Sequence, residues 1–552
     1  MRIGTAFYPE RHGRQFWADN FAKMRDAGIA RIRIAEFAWS RLETAPGQFT
    51  WDWLDESIAL AGEYGIEVVL CTPTACPPIW LVEEHPDILP VDRFGHGFGF
   101  GARQHRCYNS PAYLEASRRI TEAMAARYGE HSSVVAWQID NELGAEHKTC
   151  HCDRCRAAFQ LFLAAKYHSV EELNDRWGNG FWSQDYQRFD QVPTPVHLAA
   201  DIATRHHPSL ELEYLRFRSE AVIRFARMQT ELLRAHSPGR AITTNAFMFR
   251  WGDLLNLREL FDGMDVAGND VYSIEPYEIA CYCDLTRGLK GLACDRFWMM
   301  EYGTGSPALP EEMKLLRRHG ADWLFLFKFN AFPWGQEQTQ RAIMTITARP
   351  GPSYEMVRQW TQGGEGQAAP CSLRPRLGVY YHFESSWSCY VDTWYVDTFS
   401  QRLTYADYLV HTLYRGLFDA TANGAAFAFR AEDVAELDTL IVPRHRLYDA
   451  DLEERLIAFV RGGGKLIVTA DLFVKNSDNV FLTQVPRIYR ELLEWGDGDF
   501  VFERDLPAEP LIRTCSTGAG RTWLVRSDVD RAGWAKLIRE VHCGEEGGAG
   551  TD

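Results

Sequence analysis

The strongest constraint on the fold is a regular alternation of short apolar runs and longer amphipathic stretches over the first ~340 residues. Each run has the length and composition of a buried strand, and helical periodicity fills the stretches between them, as in residues 53–64 and 213–235. Eight β–α alternations in one domain-sized block predict an α/β fold, the (β/α)8 TIM barrel. The predicted strands are residues 2–7, 30–34, 66–71, 134–138, 241–245, 265–267, 297–300 and 323–327.

Polar or aromatic residues follow the predicted strands, at the end where a barrel of this kind places its functional groups. Glu10 follows the first strand, Asn245 ends the fifth, and Tyr272 comes shortly after the sixth. Glu142 and Glu301 follow the fourth and the seventh. Polar residues placed at random would rarely do this, so the sequence predicts one polar pocket at this end of the barrel.

The fourth predicted strand is followed by Asp140, Asn141 and Glu142. A carboxylic acid at the end of a buried strand is partly desolvated, which raises its pKa toward the range that suits proton donation near neutral pH. The amide of Asn141 can donate to a substrate hydroxyl while Glu142 acts on the neighbouring bond. The alternative is a strand followed by an ordinary polar turn.

A second apolar strand ends in a glutamate at Glu301, three strands after Glu142. Across a small barrel, the ends of the fourth and seventh strands face each other over the pocket. Two carboxyl groups about 5–5.5 Å apart can cleave a glycosidic bond with retention of configuration, one as nucleophile and the other as acid and base. The alternative is a pair of buried glutamates in ion pairs with barrel arginines.

Aromatic residues also cluster near the predicted strand ends, in a chain with 18 Trp and 22 Tyr. The flat C–H faces of sugar rings stack on aromatic rings, so a sugar pocket needs such residues. Most tryptophans of a protein of this size lie in the core, so only part of this set is expected to line the pocket. The set is Trp39, Trp80, Tyr272, Tyr302 and Trp334.

Three cysteines, Cys150, Cys152 and Cys155, lie within six residues in the loop after the fourth strand. Thiolates at this spacing can bind Zn²⁺, and a structural site needs a fourth ligand. Cys107 precedes the same strand and is the natural candidate, with His105 and His151 as runners-up. Reduced cysteines without metal are the alternative, and no organic cofactor is expected.

Charge and cysteine usage limit the partners and the compartment. The formal net charge is −16, which argues against nucleic acid and against anionic membranes as partners. No run approaches the roughly 18 apolar residues of a membrane span, and no leader-like segment begins the chain. The 13 cysteines are an odd number and mostly isolated, which predicts reduced thiols and a cytoplasmic protein.

The second half of the chain predicts a different unit. Residues 361–370 are rich in Gly, Gln and Ala and predict a linker, so the catalytic barrel is assigned to residues 1–370. Strand and helix patterns then alternate again, which predicts a Rossmann-like doubly wound domain over residues 371–500. Residues 501–552 are expected to form a short β-type region with a disordered tail.

With these residues assembled, the chain resembles glycoside hydrolase family 42, the β-galactosidases of the retaining clan A barrels. The resemblance extends from about residue 8 to residue 469. It rests mainly on two segments, residues 33–40 (Arg-Ile-Ala-Glu-Phe-Ala-Trp-Ser) and residues 137–142 (Trp-Gln-Ile-Asp-Asn-Glu). Residues 100–103 and 107–113 and the Met-Glu pair at 300–301 support it.

The resemblance implies specific roles for the residues that match the family pattern. Glu142 would be the acid/base and Glu301 the nucleophile. Arg103 and Asn141 would bind hydroxyls of the innermost sugar, with Tyr272 beside the nucleophile. The four-cysteine zinc site of the family maps onto Cys107, Cys150, Cys152 and Cys155, and the Rossmann-like domain would hold a homotrimer together.

The chain departs from the family pattern at two places near the sugar. Family members usually carry a Trp several residues after the nucleophile, whereas residues 303–307 and those just beyond contain none. Near the end of the eighth strand, the segment that begins at Trp334 supplies the expected glutamate as Glu337, but Gln340 stands where a His is expected. Specificity for one hydroxyl depends on such single partners, so selectivity among sugars is the property most affected.

These observations predict a retaining exo-acting β-galactosidase acting on small oligosaccharides. Another retaining glycosidase of the α-L-arabinosidase, β-glucosidase or β-mannosidase type is the alternative within enzymes. A catalytically silent sugar-binding relative is the alternative outside them. A silent protein has no reason to keep Arg103, Asn141, Glu142 and Glu301 together, and all four are present.

Overall fold

The first half of the protein is a closed parallel barrel of eight strands. The structure is a computed structural model, and it describes residues 1–146, 149–196, 206–247, 254–364, 375–391, 405–495 and 511–544. The strand order around the barrel is β5-β4-β3-β2-β1-β8-β7-β6 and back to β5, which confirms the predicted (β/α)8 fold. The strands are β1 Arg2–Ala6, β2 Arg31–Ile34, β3 Glu67–Cys71, β4 Val134–Gln138, β5 Ala241–Thr243 with Ala246–Phe247, β6 Gly268–Val271, β7 Phe297–Gly303 and β8 Ala321–Phe327.

The fifth strand closes the barrel in two pieces. Ala241–Thr243 pairs with β4, and Ala246–Phe247 pairs with β6. Thr244 and Asn245 lie at the break between the pieces, and the Thr244 hydroxyl donates to the Ile139 carbonyl at 2.7 Å. The break frees the Asn245 side chain for contacts inside the barrel mouth.

The sixth strand lies further along the chain than the sequence predicted. It spans Gly268–Val271 instead of residues 265–267. Two polar residues interrupt the apolar pattern of this strand. They can lie in a buried strand because both find buried partners. Asn269 donates to Thr286 on the covering helix, and Asp270 accepts from Asn245 in the barrel mouth.

A helix follows each strand and covers the barrel. The longest begins at Pro208, whose missing N–H suits a first helical position, and it contains no glycine or further proline. Further helices lie in the loops after β2, β3 and β4, namely Trp39–Leu42, Ile79–Glu84, Asp153–Tyr167 and Val170–Trp177. The covering helices are α1 Arg14–Asp26, α2 Asp52–Glu63, α3 Pro111–Tyr128, α4 Pro208–His236, α5 Leu257–Asp262, α6 Pro276–Gly288, α7 Leu309–Arg318 and α8 Pro352–Gln362.

Large side chains fill the interior of the barrel toward the N-terminal ends of its strands. Trp298, Trp323 and Phe325 pack together there with Val69 and Met300. The Arg31 guanidinium lies 3.8 Å from the centre of the Trp323 ring. This packing leaves the carboxyl end of the barrel as the place for a pocket.

The second half of the protein contains a six-stranded sheet in the order β10-β9-β11-β12-β14-β13. All neighbours are parallel except the pair of β13 and β14. The strands are β9 Leu377–Tyr380, β10 Ala426–Ala428, β11 Thr439–Val442, β12 Lys465–Thr469, β13 Leu511–Thr517 and β14 Gly520–Val525. The helices are α9 Phe383–Val391, α10 Tyr405–Tyr408, α11 Arg415–Thr421, α12 Ala450–Arg461, α13 Arg487–Leu492 and α14 Arg531–Ile538. A wider helical turn at Leu409–Tyr414 joins α10 to α11.

The strands after residue 510 belong to this same sheet, because β14 pairs with β12 along Lys465–Thr469. The sequence placed them in a separate C-terminal region. The predicted linker core at 365–370, both predicted domain boundaries and the tail at 545–552 lie outside the described residues, so the division into domains stays a prediction. Among the described residues, no helix is both long enough and apolar enough to cross a membrane.

Candidate active site

Glu142 lies in a tight turn just after β4, and neighbouring side chains hold this turn. The Asp140 carboxylate accepts from Arg106 at 2.7 Å and from Thr74 at 2.5 Å. Asp140 and Glu142 both have positive φ angles, +54° and +48°. The Gln104 amide donates to the carbonyl of Glu142 at 2.7 Å. The turn is therefore rigid, and it fixes where the Glu142 carboxyl group lies.

The Glu142 side chain is 2% exposed, and it forms an ion pair with Arg103. Arg103 Nη2 lies 2.8 Å from Glu142 Oε2. Burial and the nearby Glu301 raise the pKa of Glu142 to about 8, although Arg103 and Arg33 oppose this rise. Glu142 therefore carries a proton at neutral pH, the form that a general acid needs.

Glu301 lies on β7, where the pairing with β6 and β8 shifts register. Its Oε1 accepts from Arg33 at 2.5 Å and from Asn245 at 3.2 Å. Its Oε2 accepts from the Tyr272 hydroxyl at 2.5 Å. These donors, one of them a buried guanidinium, suit an ionised carboxylate.

Oxygens of Glu142 and Glu301 lie within 4.8 Å of each other, and one oxygen of Asp270 lies within the same distance of both. Separations near 5–5.5 Å between two carboxyl groups are typical of double displacement at a glycosidic carbon. The structure thus brings together the two glutamates that the sequence predicted as a pair.

Asn141 faces the same space as the two glutamates. Its Oδ1 accepts from Arg33 at 2.7 Å and from Asn245 at 3.0 Å. Its Nδ2 is buried and has no hydrogen-bond partner among the described residues. The amide is therefore oriented by its oxygen, and its N–H group is available to a hydroxyl of a bound ligand.

A cavity of about 650 Å³ opens beside this centre, and Arg103, Trp334 and Glu337 contribute to its wall. Trp334 is 40% exposed, and Glu337 forms an ion pair with Lys328 at 3.5 Å. Arg103 both lines the cavity and contacts Glu142, so this side chain connects the cavity wall to the carboxylate pair. The rest of the wall includes Tyr8, Glu10, Phe37, Glu146 and Phe332.

Only part of the aromatic set that the sequence proposed for the pocket lies at the site in the structure. Tyr272 is 48% exposed and contacts Glu301, and Trp334 lines the cavity. Trp39 and Tyr302 are buried at 0% and 2% exposure, and they donate to Glu43 and Glu312 in the core. Gln340 is exposed and is not part of the cavity wall.

Arg33, Asn245 and Asp270 all contact residues of the site. The sequence pattern places Asn245 at the pocket end of the barrel but predicts no specific role for any of the three. Arg33 is completely buried and pairs with Glu301 and with Glu36. Its place in an apolar strand was the signal that could have identified it, since a charged residue inside a buried strand needs a partner. Asn245 and Asp270 lay near predicted strand ends, but nothing in the sequence showed that they meet.

The four cysteines predicted as metal ligands lie together beside the barrel. Their sulfur atoms all fall within 4.8 Å of one another, and three of the four residues are buried. Cys107 Sγ lies 3.3 Å from Cys155 Sγ and 3.7 Å from Cys152 Sγ. Tetrahedral Zn–S bonds of about 2.3 Å place sulfurs about 3.8 Å apart, so this donor set fits one Zn²⁺.

The two histidines considered as alternative ligands have other partners. The ring nitrogens of His105 lie within hydrogen-bond distance of the Ala102 and Pro77 carbonyls, at 2.6 and 3.1 Å. His151 Nε2 lies 2.8 Å from the Thr149 hydroxyl. Cys107 is therefore the fourth member of the cluster, and the loops after β3 and β4 meet there.

A (β/α)8 barrel with two buried glutamates facing each other at the ends of β4 and β7 has the architecture of a glycoside hydrolase. Comparison with known proteins identifies the family. Residues 6–363 match the model of glycoside hydrolase family 42, which is described as Beta-galactosidase. The chain belongs to glycoside hydrolase family 42.

Relatives and solved structures agree with this assignment. A beta-galactosidase of Thermus thermophilus is 37% identical over 421 residues, which cover 70% of this chain and 63% of that protein. A beta-galactosidase of Halorubrum lacusprofundi is 32% identical over 513 residues, 87% of this chain and 71% of that one. The chain thus spans less than two thirds of the length of the Thermus relative.

Two solved structures have the same architecture over almost the whole chain. The beta-galactosidase from the haloarchaeon Halorubrum lacusprofundi has a TM-score of 0.86 at 27% identity, covering 98% of this chain and 90% of that one. The beta-galactosidase from Marinomonas ef1 has a TM-score of 0.85 at 26% identity, covering 98% and 91%.

Proposed function

We propose that the protein is a retaining exo-acting β-galactosidase in which Glu142 is the acid/base and Glu301 the nucleophile. The observation that carries the proposal is that two carboxyl groups have different surroundings although their oxygens lie within 4.8 Å of each other. Glu301 accepts hydrogen bonds from three donors, whereas burial raises the pKa of Glu142 to about 8. Two carboxyl groups held in different protonation states can divide the roles of acid and nucleophile.

In the first step, the Glu301 carboxylate attacks the anomeric carbon and forms an ester bond to it. The bond from that carbon to the leaving oxygen breaks, and Glu142 gives its proton to this oxygen. In the second step, Glu142, now ionised, takes a proton from water. The resulting hydroxyl oxygen attacks the anomeric carbon, the ester bond breaks, and Glu301 leaves as a carboxylate.

The remaining predicted residues would bind the sugar that is released. Arg103 and Glu337 line the cavity and offer a guanidinium and a carboxylate to ring hydroxyls, and the free Asn141 N–H group serves a hydroxyl beside the nucleophile. Trp334 offers an exposed ring face for stacking. The relatives named beta-galactosidases support galactose as this sugar, and we propose small oligosaccharides as the substrates.

The test is a panel of nitrophenyl glycosides with wild type, Glu301→Ala and the control Glu311→Ala, which removes an exposed carboxylate on α7. We expect cleavage of the β-galactoside by wild type and the control, and loss of turnover in Glu301→Ala. Full activity in Glu301→Ala would overturn the assignment of Glu301 as the nucleophile. Cleavage of a β-glucoside, β-mannoside or α-L-arabinoside instead would favour the alternative retaining glycosidase, and Gln340 would become the first residue to test for selectivity.

We also propose a structural Zn²⁺ at Cys107, Cys150, Cys152 and Cys155. The clustered, mostly buried sulfurs support a closed site that joins the loops after β3 and β4. Bound there, zinc would supply structural cross-linking, because the site leaves no ligand position for chemistry. Metal analysis of protein purified without chelator tests this, and protein without zinc would contradict it.

A homotrimer in the cytoplasm is the assembly and compartment that we propose. Phe181 and Trp182 are 74% and 60% exposed and stack on each other, which supports a contact surface outside the catalytic cavity. None of the described cysteines forms a disulfide, as suits a reducing compartment. Light scattering coupled to size exclusion tests the trimer, and the mass of a monomer would contradict it.

A further inference from the structure

One amide, that of Asn245, connects the groups of the catalytic centre. It sits at the break in β5, and its Nδ2 lies 3.0 Å from Asn141 Oδ1, 2.7 Å from Asp270 Oδ2 and 3.2 Å from Glu301 Oε1. An NH₂ group has only two hydrogens, so three acceptors compete for them. The shortest of these contacts is to Asp270.

The oxygen of the same amide is also engaged. Asn245 Oδ1 accepts from the backbone N–H of Glu142 at 3.0 Å and from Gln138 Nε2 at 2.9 Å. The orientation of this amide therefore sets the turn that carries the acid/base as well as one oxygen of the nucleophile. Rotation of the amide by half a turn would place N–H groups against N–H groups and break these contacts.

Asp270 anchors the amide from the side of β6. It is 4% exposed, its Oδ2 accepts from Asn245, and its Oδ1 is buried without a hydrogen-bond partner among the described residues. The charged groups that face it are Glu301 from β7, Glu142 from the end of β4 and Arg33 from β2, with Tyr272 at the end of its own strand.

A negative charge on Asp270 would have little to balance it. Arg33 is bound to Glu301, and Arg103 is bound to Glu142. Burial, with the carboxyl groups of Glu301 and Glu142, raises the pKa of Asp270 well above its usual range. Three carboxyl groups within 4.8 Å of one another cannot all be ionised in a buried site.

We propose that Asp270 is a positioning residue: an uncharged carboxylic acid that anchors the Asn245 amide and, through it, fixes Asn141, Glu142 and Glu301. The proposal deepens the glycosidase function proposed above and rests on it. Asp270 transfers no proton to the substrate and takes part in no bond change. Its contribution is to keep the nucleophile, the acid and the hydroxyl-binding amide in one arrangement before the substrate arrives.

The first test compares Asp270→Asn with wild type. Asparagine has the shape of the uncharged acid and its Oδ1 can still accept from Asn245, so we expect most of kcat and the pH profile of kcat/KM to be preserved. If Asp270 were ionised, removal of its charge would lower the pKa of Glu142 and move the alkaline limb of the profile to lower pH. That shift would overturn the proposal.

The second test asks whether Asp270 acts through Asn245. Asp270→Ala and Asn245→Ala should each lower kcat by about 10²-fold, the effect of misplaced catalytic groups, and the double variant should be no slower than Asn245→Ala alone. Independent, multiplying losses would contradict the proposal. The control is Asn269→Ala, a neighbour on the same strand that faces α6 and should leave kcat unchanged.

A third readout does not depend on activity and separates this proposal from the glycosidase function. When a carboxylic acid has a raised pKa in the folded protein, the protein loses stability as pH rises above the pKa that this group has in the unfolded chain. Asp270→Asn has no such loss, so the Tm of the variant minus the Tm of wild type should increase from pH 5 to pH 8. A constant difference would show an ionised Asp270 and overturn the proposal, even if no glycoside were cleaved.

Discussion

At the scale of single residues, Glu142 and Glu301 have the same side chain and opposite surroundings. Arg33, Tyr272 and Asn245 all donate to Glu301, which stabilises a carboxylate ion. Glu142 forms an ion pair with Arg103, but its burial and the nearby Glu301 still raise its pKa to about 8. The division of roles between two identical residues therefore comes from their neighbours.

Replacement of Glu142 by alanine should separate the two steps of the reaction. Glu142→Ala should still form the glycosyl-enzyme from aryl glycosides with good leaving groups, because these need little protonation. Hydrolysis of the intermediate should then be slow, and added azide should restore turnover and yield a β-glycosyl azide. The product is identified by mass spectrometry and NMR, with Glu301→Ala as the variant that azide should not rescue in this way. Failure of azide to accelerate Glu142→Ala would contradict the acid/base role.

The pKa of Glu142 also predicts the pH dependence of activity. Since the first step needs protonated Glu142, kcat/KM should fall as pH rises through about 8. Arg103 lowers this pKa, so Arg103→Met should move the alkaline limb to higher pH while it weakens substrate binding. Arg14→Met removes an exposed guanidinium on α1 and serves as the control. An alkaline limb that stays in place or moves to lower pH in Arg103→Met would contradict the assignment.

At the scale of elements, the sequence predicted the alternation of the barrel because apolar runs of strand length report burial directly. It placed β6 three residues early, since Asn269 and Asp270 look like loop residues until Thr286 and Asn245 are seen beside them. The break in β5 at Asn245 was equally hidden, because it depends on which strands neighbour each half.

The same reason explains what could be predicted of the site. Glu142, Glu301 and Asn141 follow apolar strands in the chain, so local pattern was enough to single them out. Arg33, Asn245 and Asp270 come from β2, β5 and β6, and their contacts reach β4 and β7 as well. No pattern along the chain records which side chains meet across a barrel. The cysteine cluster lies between these cases, with three members close in sequence and Cys107 more than forty residues away.

The loops after β3 and β4 should depend on the cysteine cluster. Cys155→Ser should lower zinc content from one ion per chain toward zero and lower Tm, because a tetrahedral site with three thiolates binds the metal more weakly. A stability loss of about 2 kcal/mol lowers Tm by roughly 4–8 °C in a domain of about 150–250 residues, and by less in a larger domain such as this barrel. Zinc is measured by inductively coupled plasma mass spectrometry and Tm by calorimetry. Cys543→Ser, an exposed cysteine outside the cluster, is the control, and equal zinc content in both variants would contradict the site.

At the scale of the whole molecule, a buried charge cluster joins the barrel to the second sheet. Asp284 on α6 accepts from His319 at 2.8 Å and from Arg287 at 2.9 Å within the barrel. Its other oxygen accepts from the Tyr414 hydroxyl at 2.5 Å and from the backbone N–H of Ala425 at 3.0 Å, both from the second half of the chain. Every lone-pair direction of this carboxylate is used, so the two halves are coupled through one side chain.

Replacement of Asp284 should therefore destabilise the molecule much more than replacement of an exposed aspartate. Asp284→Asn leaves the buried Arg287 guanidinium without its counter-charge, a change that costs about 3–5 kcal/mol for buried pairs. Asp438→Asn removes an exposed partner of Arg376 and should change the free energy of unfolding by about 0–1 kcal/mol. Although burial alone would raise it, His319 and Arg287 hold the pKa of Asp284 below its usual range.

The sign of that pKa shift fixes how the effect of Asp284→Asn changes with pH. A carboxyl group with a lowered native pKa contributes stability above its unfolded pKa of about 3.9 and loses it as pH falls toward the native value. The stability difference between wild type and Asp284→Asn should thus be full at pH 7 and should shrink below about pH 4. Urea unfolding followed by tryptophan fluorescence at several pH values measures this difference. A gap that is absent at pH 7, or that widens in acid, would show that Asp284 does not join the two halves as an ionised group.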